Sequence, residues 1–297
     1  MKNRLEIQVA GGLGNQLFML FAGLFFADYL GKNAAFDISD LRRIKKLHPG
    51  RNLEDLGLLD GYPVSDKSSF LADSPRFRKF LNGGSIGGNA DRWIYRKTFR
   101  PKEFGYVAPE LIPEDTKRLR GYFQTWRYVT QLNGFSRVKA VIESAVSPWA
   151  LNMGEKLEST SPLCLHIRRS DYALSKNRPI GLLSLEYFSE IALRYPAESI
   201  WIFTDSPNEF KEIGLVLKSK IQIVNPPKGS DHIDSLYLMS KAKSLAISNS
   251  TYSWWAAMIT EPETQIFAPR KWFRSLSDPI DLVPISWTTI ESQWADL

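Results

Sequence analysis

In the second half of the chain, short apolar runs alternate with longer stretches in which apolar positions recur every three or four residues. Leu163 to Ile167, Ser199 to Phe203, Ile221 to Val224, Ser244 to Ile247 and Gln265 to Ala268 read as strands. Between them Ser184 to Arg194, Pro207 to Ile213, Asp231 to Lys241 and Thr251 to Ile259 read as helices. Short apolar strands, each followed by a helix, belong in a parallel sheet covered on both faces. This half is therefore expected to be a doubly wound α/β domain.

The first half is less regular. Leu5, Ile7 and Val9 alternate with polar residues as a strand does, Gly11-Gly12-Leu13-Gly14 ends it, and a helix from Asn15 to Leu30 follows. A second strand is expected from Asn33 to Ile38. From 40 to 120 the periodicity fades and glycine pairs appear at Gly83-Gly84 and Gly87-Gly88. Trp93, Tyr95, Phe99, Phe104 and Tyr106 would give that region either a surface for a sugar or a small core of its own. Gly121 to Tyr128 is a further aromatic cluster, with Gln124 and Arg127 set between the rings. Val138 to Trp149 reads as a helix. Leu151 to Ser161, polar and glycine-containing, reads as a linker, which gives domains 1–155 and 156–297. The last segment holds Trp272, Phe273, Trp287 and Trp294, too apolar for a solvated tail. It is expected to fold back, onto the N-terminal domain.

Composition narrows the class. The 297 residues are 43% hydrophobic, and 38 basic against 32 acidic residues give +6. That excess suits an acidic substrate, an anionic membrane surface or nucleic acid, and equally a basic surface of no special meaning. The basic residues are scattered rather than striped, which argues against nucleic acid. The single cysteine, Cys164, excludes an internal disulfide, fits a reducing compartment and sits where packing is its natural role. Near the N-terminus, Leu17 to Ala27 resembles a leader. Its 11 residues fall short of the roughly 20 that a span needs, and Glu6, Gln8 and the glycines interrupt its approach. Neither a targeting segment nor a span is expected, and the location implied is cytoplasmic.

Three expected strands end in polar residues: His166-Ile167-Arg168-Arg169-Ser170-Asp171, Thr204-Asp205-Ser206 and Ser248-Asn249-Ser250-Thr251. In a parallel sheet these ends share one edge, where ligands collect. Arg168 and Arg169 can hold a phosphate. Because neighbouring side chains diverge, one is expected on the ligand and the other, Arg169, on a carboxylate such as Asp171. Ser250 and Thr251 open a helix and either donate to a diphosphate or act as an ordinary cap. Asp205 accepts from a base edge or ribose, or caps the following helix. His166 is a base, a base-edge contact or a core group. At the first turn the glycines let backbone approach a ligand, and Asn15 and Gln16 stand at the helix start. No metal-ligand spacing is visible, and Asp231, His232 and Asp234 read as local caps. No cofactor is expected.

Together the stretches Gly11 to Phe18, Gly121-Tyr122-Phe123-Gln124, His166-x-Arg168-Arg169-x-Asp171-Tyr172, Phe203-Thr204-Asp205, His232-x-Asp234 and Ser248 to Trp255 resemble the bacterial α-1,2-fucosyltransferases of glycosyltransferase family 11. The arginine motif alone is shared with other fucosyltransferases. The resemblance implies a GT-B-like α/β fold, two Rossmann-type domains with a central cleft. The C-terminal domain would bind GDP-fucose and the cleft would receive a β-galactoside acceptor, with transfer of fucose to the galactose 2-hydroxyl by inversion. Arg168 would hold the β-phosphate, Ser250 and Thr251 the diphosphate, and Asp205 with His166 the guanosine, while Asn15 would face the sugar phosphate. Asp171 is the candidate base, with pairing to Arg169 as its alternative. A surface-polysaccharide acceptor carried on a lipid would bring peripheral contact with the inner membrane. Two rivals remain at this point: a fucosyl transfer of another linkage, and an NAD-dependent oxidoreductase using the glycine turn, where Leu17 replaces the third glycine of that fingerprint.

If arginine and helix dipoles replace a metal at the leaving diphosphate, transfer activity will persist in excess EDTA. Loss of turnover that Mn²⁺ restores would place a metal there.

Overall fold

The computed structural model describes residues 3–44, 50–66, 97–174, 177–207 and 219–296. The glycine pairs, Trp93, Tyr95 and the helix expected from Pro207, beyond that first residue, lie outside them. The chain divides into two compact units, Met1–Leu132 and Asn133–Leu297.

The first unit is built on five parallel strands among the described residues: β1 (Arg4–Gln8), β2 (Asn33–Asp37), β3 (Val64–Ser65), β4 (Thr98–Phe99) and β5 (Arg118–Leu119), in the order β3-β2-β1-β5-β4. The chain steps outward from β1 through β2 to β3 and then builds the other side. A topological switch point therefore lies between β1 and β5. Helix α1 (Leu13–Tyr29) is apolar on most of its circumference and buries Leu17, Phe18, Leu20, Phe21 and Phe26. Gly23 sits in its middle, although glycine costs about 1 kcal/mol there relative to alanine, because a Cβ would lie 2.5 Å from Ile7 Cγ1 of β1. The region after residue 40 is less bare than expected: α2 (Ser39–Ile44) follows β2 directly. Past β5, α3 (Trp126–Gln131) carries Tyr128, whose ring packs against Phe25, Phe26 and Phe123. Its hydroxyl donates to Val107 O and accepts from Val107 N, each at 2.8 Å.

The second unit opens with α4 (Gly134–Ala145) and α5 (Pro148–Thr160). Here two expectations fail. The helix foreseen at 138–149 is two helices, broken where Pro148 takes the first-turn position that proline favours. The foreseen linker, 151–161, is most of α5, and the division between units falls earlier, after Leu132. Its buried positions Ala150, Gly154 and Leu157 repeat at helical spacing, and the glycine admits Tyr237, which a Cβ would meet at 3.2 Å. Ser147 caps α5 by accepting from Ala150 N and is tied down by buried Asp234, which accepts from Ser147 N and Oγ at 2.8 Å each.

Beyond α5 the expected strands appear, and so do the expected helices apart from the one from Pro207, which lies outside the described residues. In order come β6 (Leu163–Ile167), α6 (Leu185–Arg194), β7 (Ser199–Thr204), β8 (Lys220–Ile223), α7 (His232–Ser240), β9 (Ser244–Ala246), α8 (Thr251–Met258), β10 (Gln265–Pro269) and β11 (Thr288–Ile290). All pairings between these strands are parallel, in the order β11-β10-β9-β6-β7-β8. This is the doubly wound arrangement, with its switch point between β6 and β9. Each unit thus carries its own parallel sheet, in keeping with the Rossmann-type pair expected from the sequence. Cys164 is fully buried in β6 and burial pushes its thiol pKa up, as packing requires. The closing segment folds back within its own unit. It extends the second unit's sheet through β11, and Trp294 bridges Leu183 and lies against Gly181, because β10 would otherwise leave an open edge. Among the described residues no helix is long and apolar enough to cross a membrane.

The contact between α1 and β1 depends on Gly23, so Gly23→Val should destabilise the protein by about 1–3 kcal/mol, the usual range for overpacking. A urea midpoint unchanged from wild type would show that α1 can slide off Ile7.

Candidate active site

The edge that collects the polar strand ends is the C-terminal edge of the second unit's sheet. β6 delivers His166, Arg168 and Arg169 there, and after Arg169 the chain turns into a short 3₁₀ helix, Ser170–Ala173. That turn brings Asp171 back to Arg168. Arg168 Nε and Nη2 donate to Asp171 Oδ1 at 3.0 and 2.6 Å, and Nη1 lies 3.0 Å from Asp205 Oδ2 at the end of β7. One guanidinium therefore stands between two carboxylates.

The expected division of labour between the arginines is reversed on one point. Asp171 pairs with Arg168, not with Arg169. Arg169 is buried: its backbone N–H donates to Asp205 Oδ1 at 2.8 Å and its Nη1 to Leu183 O at 2.9 Å. Alternation decides this, because successive residues leaving a strand point to opposite faces, so Arg169 turns into the structure. Arg168 instead has its side chain 28% exposed, beside Asp171 at 38% and Asp205 at 22%. Burial alone would lower the Arg168 pKa, but the charges of Asp205 and Asp171 outweigh it and raise it. The formal charges of the trio, one guanidinium and two carboxylates, sum to −1.

His166 lies across the switch point, with Nδ1 2.9 Å from Ser248 Oγ on the segment after β9. It is 6% exposed, and burial, with Arg168 nearby, lowers its pKa to about 3. A histidine so weakly basic is neutral near pH 7 and is no general base there. Asn249 reaches the other way, donating through Nδ2 to Ile180 O and Gly181 O, while its own carbonyl accepts from Tyr172. Ser250 precedes α8 in extended conformation, and its side chain makes no capping bond. The reading of Ser250 as an ordinary cap is thus not realised. Thr251 begins the helix beside it.

In the first unit, Gly11 takes φ +78°, a left-handed conformation that suits glycine. Gln16 fastens this turn by donating Nε2 to Gly11 O at 2.8 Å and accepting from Leu53 N. Asn15 Oδ1 accepts from Gln124 Nε2 at 3.0 Å, so two sequence-identified residues 109 positions apart meet. Arg127 stacks over Tyr106, with Cζ 4.5 Å from the ring centroid. Asp231 caps α7, holding Ile233 N and the ring nitrogen Nδ1 of His232. With Asp234 committed to Ser147, that trio is structural. Among the described residues no group of three or more potential ligands is gathered for a metal.

Two residues named only as parts of motifs turn out to be contributors in their own right. Tyr172, next to Asp171, lies with its ring 5.8 Å from Arg168 Cζ, and burial raises its pKa to about 12. Ser248 partners His166. Tyr172 was signalled by its place in the arginine motif, whereas only the pairing of β6 with β9 brings Ser248 to His166.

A switch point of this kind is where open parallel sheets bind ligands, and comparison with known proteins gives the class. The family model described as Glycosyl transferase family 11 matches residues 112–290. The chain belongs to that family and is a glycosyltransferase. It is 27% identical over 300 residues to an Escherichia coli protein named alpha-1,2-colitosyltransferase, covering 96% of this chain and 98% of the relative. It is 33% identical over 123 residues to the Escherichia coli O-antigen biosynthesis glycosyltransferase WbnK, 39% of this chain and 40% of that one. Among solved structures, fucosyltransferase NodZ from Bradyrhizobium is similar at a TM-score of 0.48 and 16% identity, covering 88% of this chain and 94% of NodZ.

The buried His166 makes a pH prediction. Its folded pKa of about 3 lies below the ordinary 6.5, so the unfolded chain takes up a proton that the folded chain refuses. Stability should fall as pH drops from about 6.5 towards 3, by roughly 1 kcal/mol per pH unit for this group. In urea titrations at pH 7 and 5, His166→Gln should lose part of that acid sensitivity. An identical pH dependence in the variant would mean that His166 is protonated in the fold.

Proposed function

We propose that this glycosyltransferase moves L-fucose from GDP-fucose to the 2-hydroxyl of a terminal β-galactoside, with inversion, during synthesis of a surface polysaccharide. The observation that carries the reading is the partly exposed guanidinium of Arg168 at the β6–β9 switch point, beside the uncapped start of α8. Family membership supports a sugar-nucleotide donor. The name of the 27%-identical relative supports a 1,2 linkage, and that of WbnK supports an O-antigen setting. The acceptor in this reading is carried on a lipid and met from the cytoplasmic side of the inner membrane. Neither the fold nor the family favours the oxidoreductase.

Arg168 is assigned to the β-phosphate, with Ser250, Thr251 and the first-turn N–H groups of α8 on the diphosphate. Asn15 is assigned a phosphate oxygen through Nδ2. His166, through Nε2, and Asp205, through lone pairs left beyond its two present contacts, are assigned to guanosine. A diphosphate cannot simply join a cluster that is already negative, so one carboxylate has to leave Arg168. Asp205 is also held by the Arg169 N–H, whereas the Asp171 carboxylate is engaged by Arg168 and is the more exposed. Asp171 therefore yields. Its freed carboxylate accepts the proton of the acceptor 2-hydroxyl as that oxygen bonds to the fucose anomeric carbon. The bond from that carbon to the phosphate oxygen breaks on the opposite face, and GDP departs with the electron pair. Alignment of hydroxyl, carbon and leaving oxygen supplies much of the barrier reduction.

A colitosyl donor is the second reading, favoured by the name of the relative that matches along nearly the whole chain.

Incubation with GDP-fucose and lactose, or with a galactosyl-N-acetylglucosamine, should give product fucosylated at galactose O2. Fucose at any other position would overturn the linkage, and turnover of a colitosyl nucleotide alone would select the second reading. Arg168→Ala should weaken GDP about 10- to 100-fold, from the charge-assisted bonds lost, and guanosine far less. Equal loss for both ligands would remove Arg168 from the phosphate.

A further inference from the structure

The closing segment, rich in aromatic residues, is joined to the candidate site by a short series of hydrogen bonds. Its partner is the stretch of residues 179–184 that leads into α6, and this stretch reaches the site through its backbone. Ile180 O and Gly181 O both accept from Asn249 Nδ2, at 3.2 and 3.1 Å, and Leu183 O accepts from Arg169 Nη1 at 2.9 Å. Asn249 is 2% exposed and immediately precedes Ser250 and the start of α8. Where those carbonyls stand therefore decides where Asn249, and the helix start after it, can stand.

The closing segment holds this stretch from two sides. On one side Arg274 N donates to Ile180 O at 3.0 Å and Ser275 N to Pro179 O at 3.1 Å. On the other, Trp294 pairs with Leu183 in an antiparallel bridge, in which Ser184 N donates to Gln293 O and Ala295 N to Leu182 O, each at 2.8 Å. The two sides are themselves joined, because Arg274 Nη1 donates to Ala295 O at 2.9 Å. Leu182 O thus goes to the closing segment while its neighbours Gly181 O and Leu183 O go to the site, so one displacement moves both.

At the centre of this clamp Trp294 lies on Gly181. A Cβ at 181 would stand 2.6 Å from Trp294 Cε3 and Cζ3 and 2.7 Å from Arg274 Cβ. Gly181 also takes φ +88°, which glycine adopts without strain. The ring rests on the residue whose carbonyl Asn249 holds, and it packs against the core cluster that contains Leu183 and Phe188.

We propose that Trp294 is a positioning residue: through Ile180 and Gly181 it sets Asn249, and through Asn249 the start of α8, where Ser250 and Thr251 meet the donor's diphosphate. That last step rests on the donor reading above. Without the ring the stretch 180–183 gains room and the two bonds from Asn249 Nδ2 lengthen. The helix start then shifts, and a displacement on the order of 1 Å is costly at a reacting centre.

Hydrogen exchange at the Trp254 N–H needs no donor and reads the start of α8 directly, because that N–H donates to Ser250 O at 3.0 Å. In Trp294→Ala it should exchange about 10-fold faster, while amides in β7 exchange as in wild type. GDP should bind about 5- to 10-fold more weakly, the loss expected for roughly one hydrogen bond, and Trp294→Phe should regain most of it. Added to Asn249→Ala, Trp294→Ala should cost little more. Where Trp294→Ala folds too poorly to measure, Trp294→Leu, which keeps an apolar side chain but no flat ring, answers the same question. Unchanged exchange at Trp254, or a rise shared equally by β7, would overturn the positioning. Faster exchange with unchanged GDP affinity would overturn its bearing on the donor, and full additivity of the two substitutions would take Asn249 out of the route. Wild-type protein that binds no GDP, with the exchange response intact, would sink the donor reading and leave the positioning standing.

Discussion

The second unit is organised around a positive charge that is neither fully in water nor left alone. Arg168 leaves a buried strand and would be costly there without partners, since removing a charge from water is expensive unless it is paired. Two carboxylates from separate strand ends supply the pairing, and each is placed by a different part of the fold. Asp171 is brought round by a 3₁₀ turn, whereas Asp205 is fixed by the register of β7 beside β6 and by the Arg169 N–H. The same pairing that makes the partly buried arginine tolerable also keeps its guanidinium occupied.

Around that ion cluster the uncharged groups keep the strand ends rigid. His166 stays neutral because it is buried, and as a neutral ring it can share a hydrogen with Ser248 across the switch point. Asn249 fastens the segment after β9 to residues 180 and 181, and Tyr172 holds its carbonyl. Below this layer lie fully buried Trp254 and Trp255, which meet edge to face at 5.4 Å and anchor α8. A helix start supported in this way can present hydroxyls and N–H groups without rearranging.

Both units solve the same geometric problem. Each has a central first strand with later strands added on either side, so each has a crevice at the ends of its strands. The crevices differ in chemistry: one holds an arginine between carboxylates, the other a glycine turn whose Asn15 meets Gln124. Glycines matter where backbones or rings must come close, as at Gly23 against Ile7 and Gly121 against Pro101.

The strands and helices of the second half were legible in the sequence because each buries a continuous apolar run or stripe, and such patterns survive without knowledge of partners. The same holds for the motif residues gathered at the strand ends, since parallel strands necessarily share one edge. Periodicity alone misread α5, whose buried stripe of Ala150, Gly154 and Leu157 is narrow and includes a glycine, so its polar majority looked like a linker. It also gave no hint of β11, three residues long and stable only beside β10. What only the tertiary structure decided was partnership: Arg168 rather than Arg169 with Asp171, Ser248 with His166, Gln124 with Asn15. Those choices depend on which way a side chain leaves its strand and on contacts between residues far apart in the chain. A linear pattern carries residue type and spacing, but not direction in space.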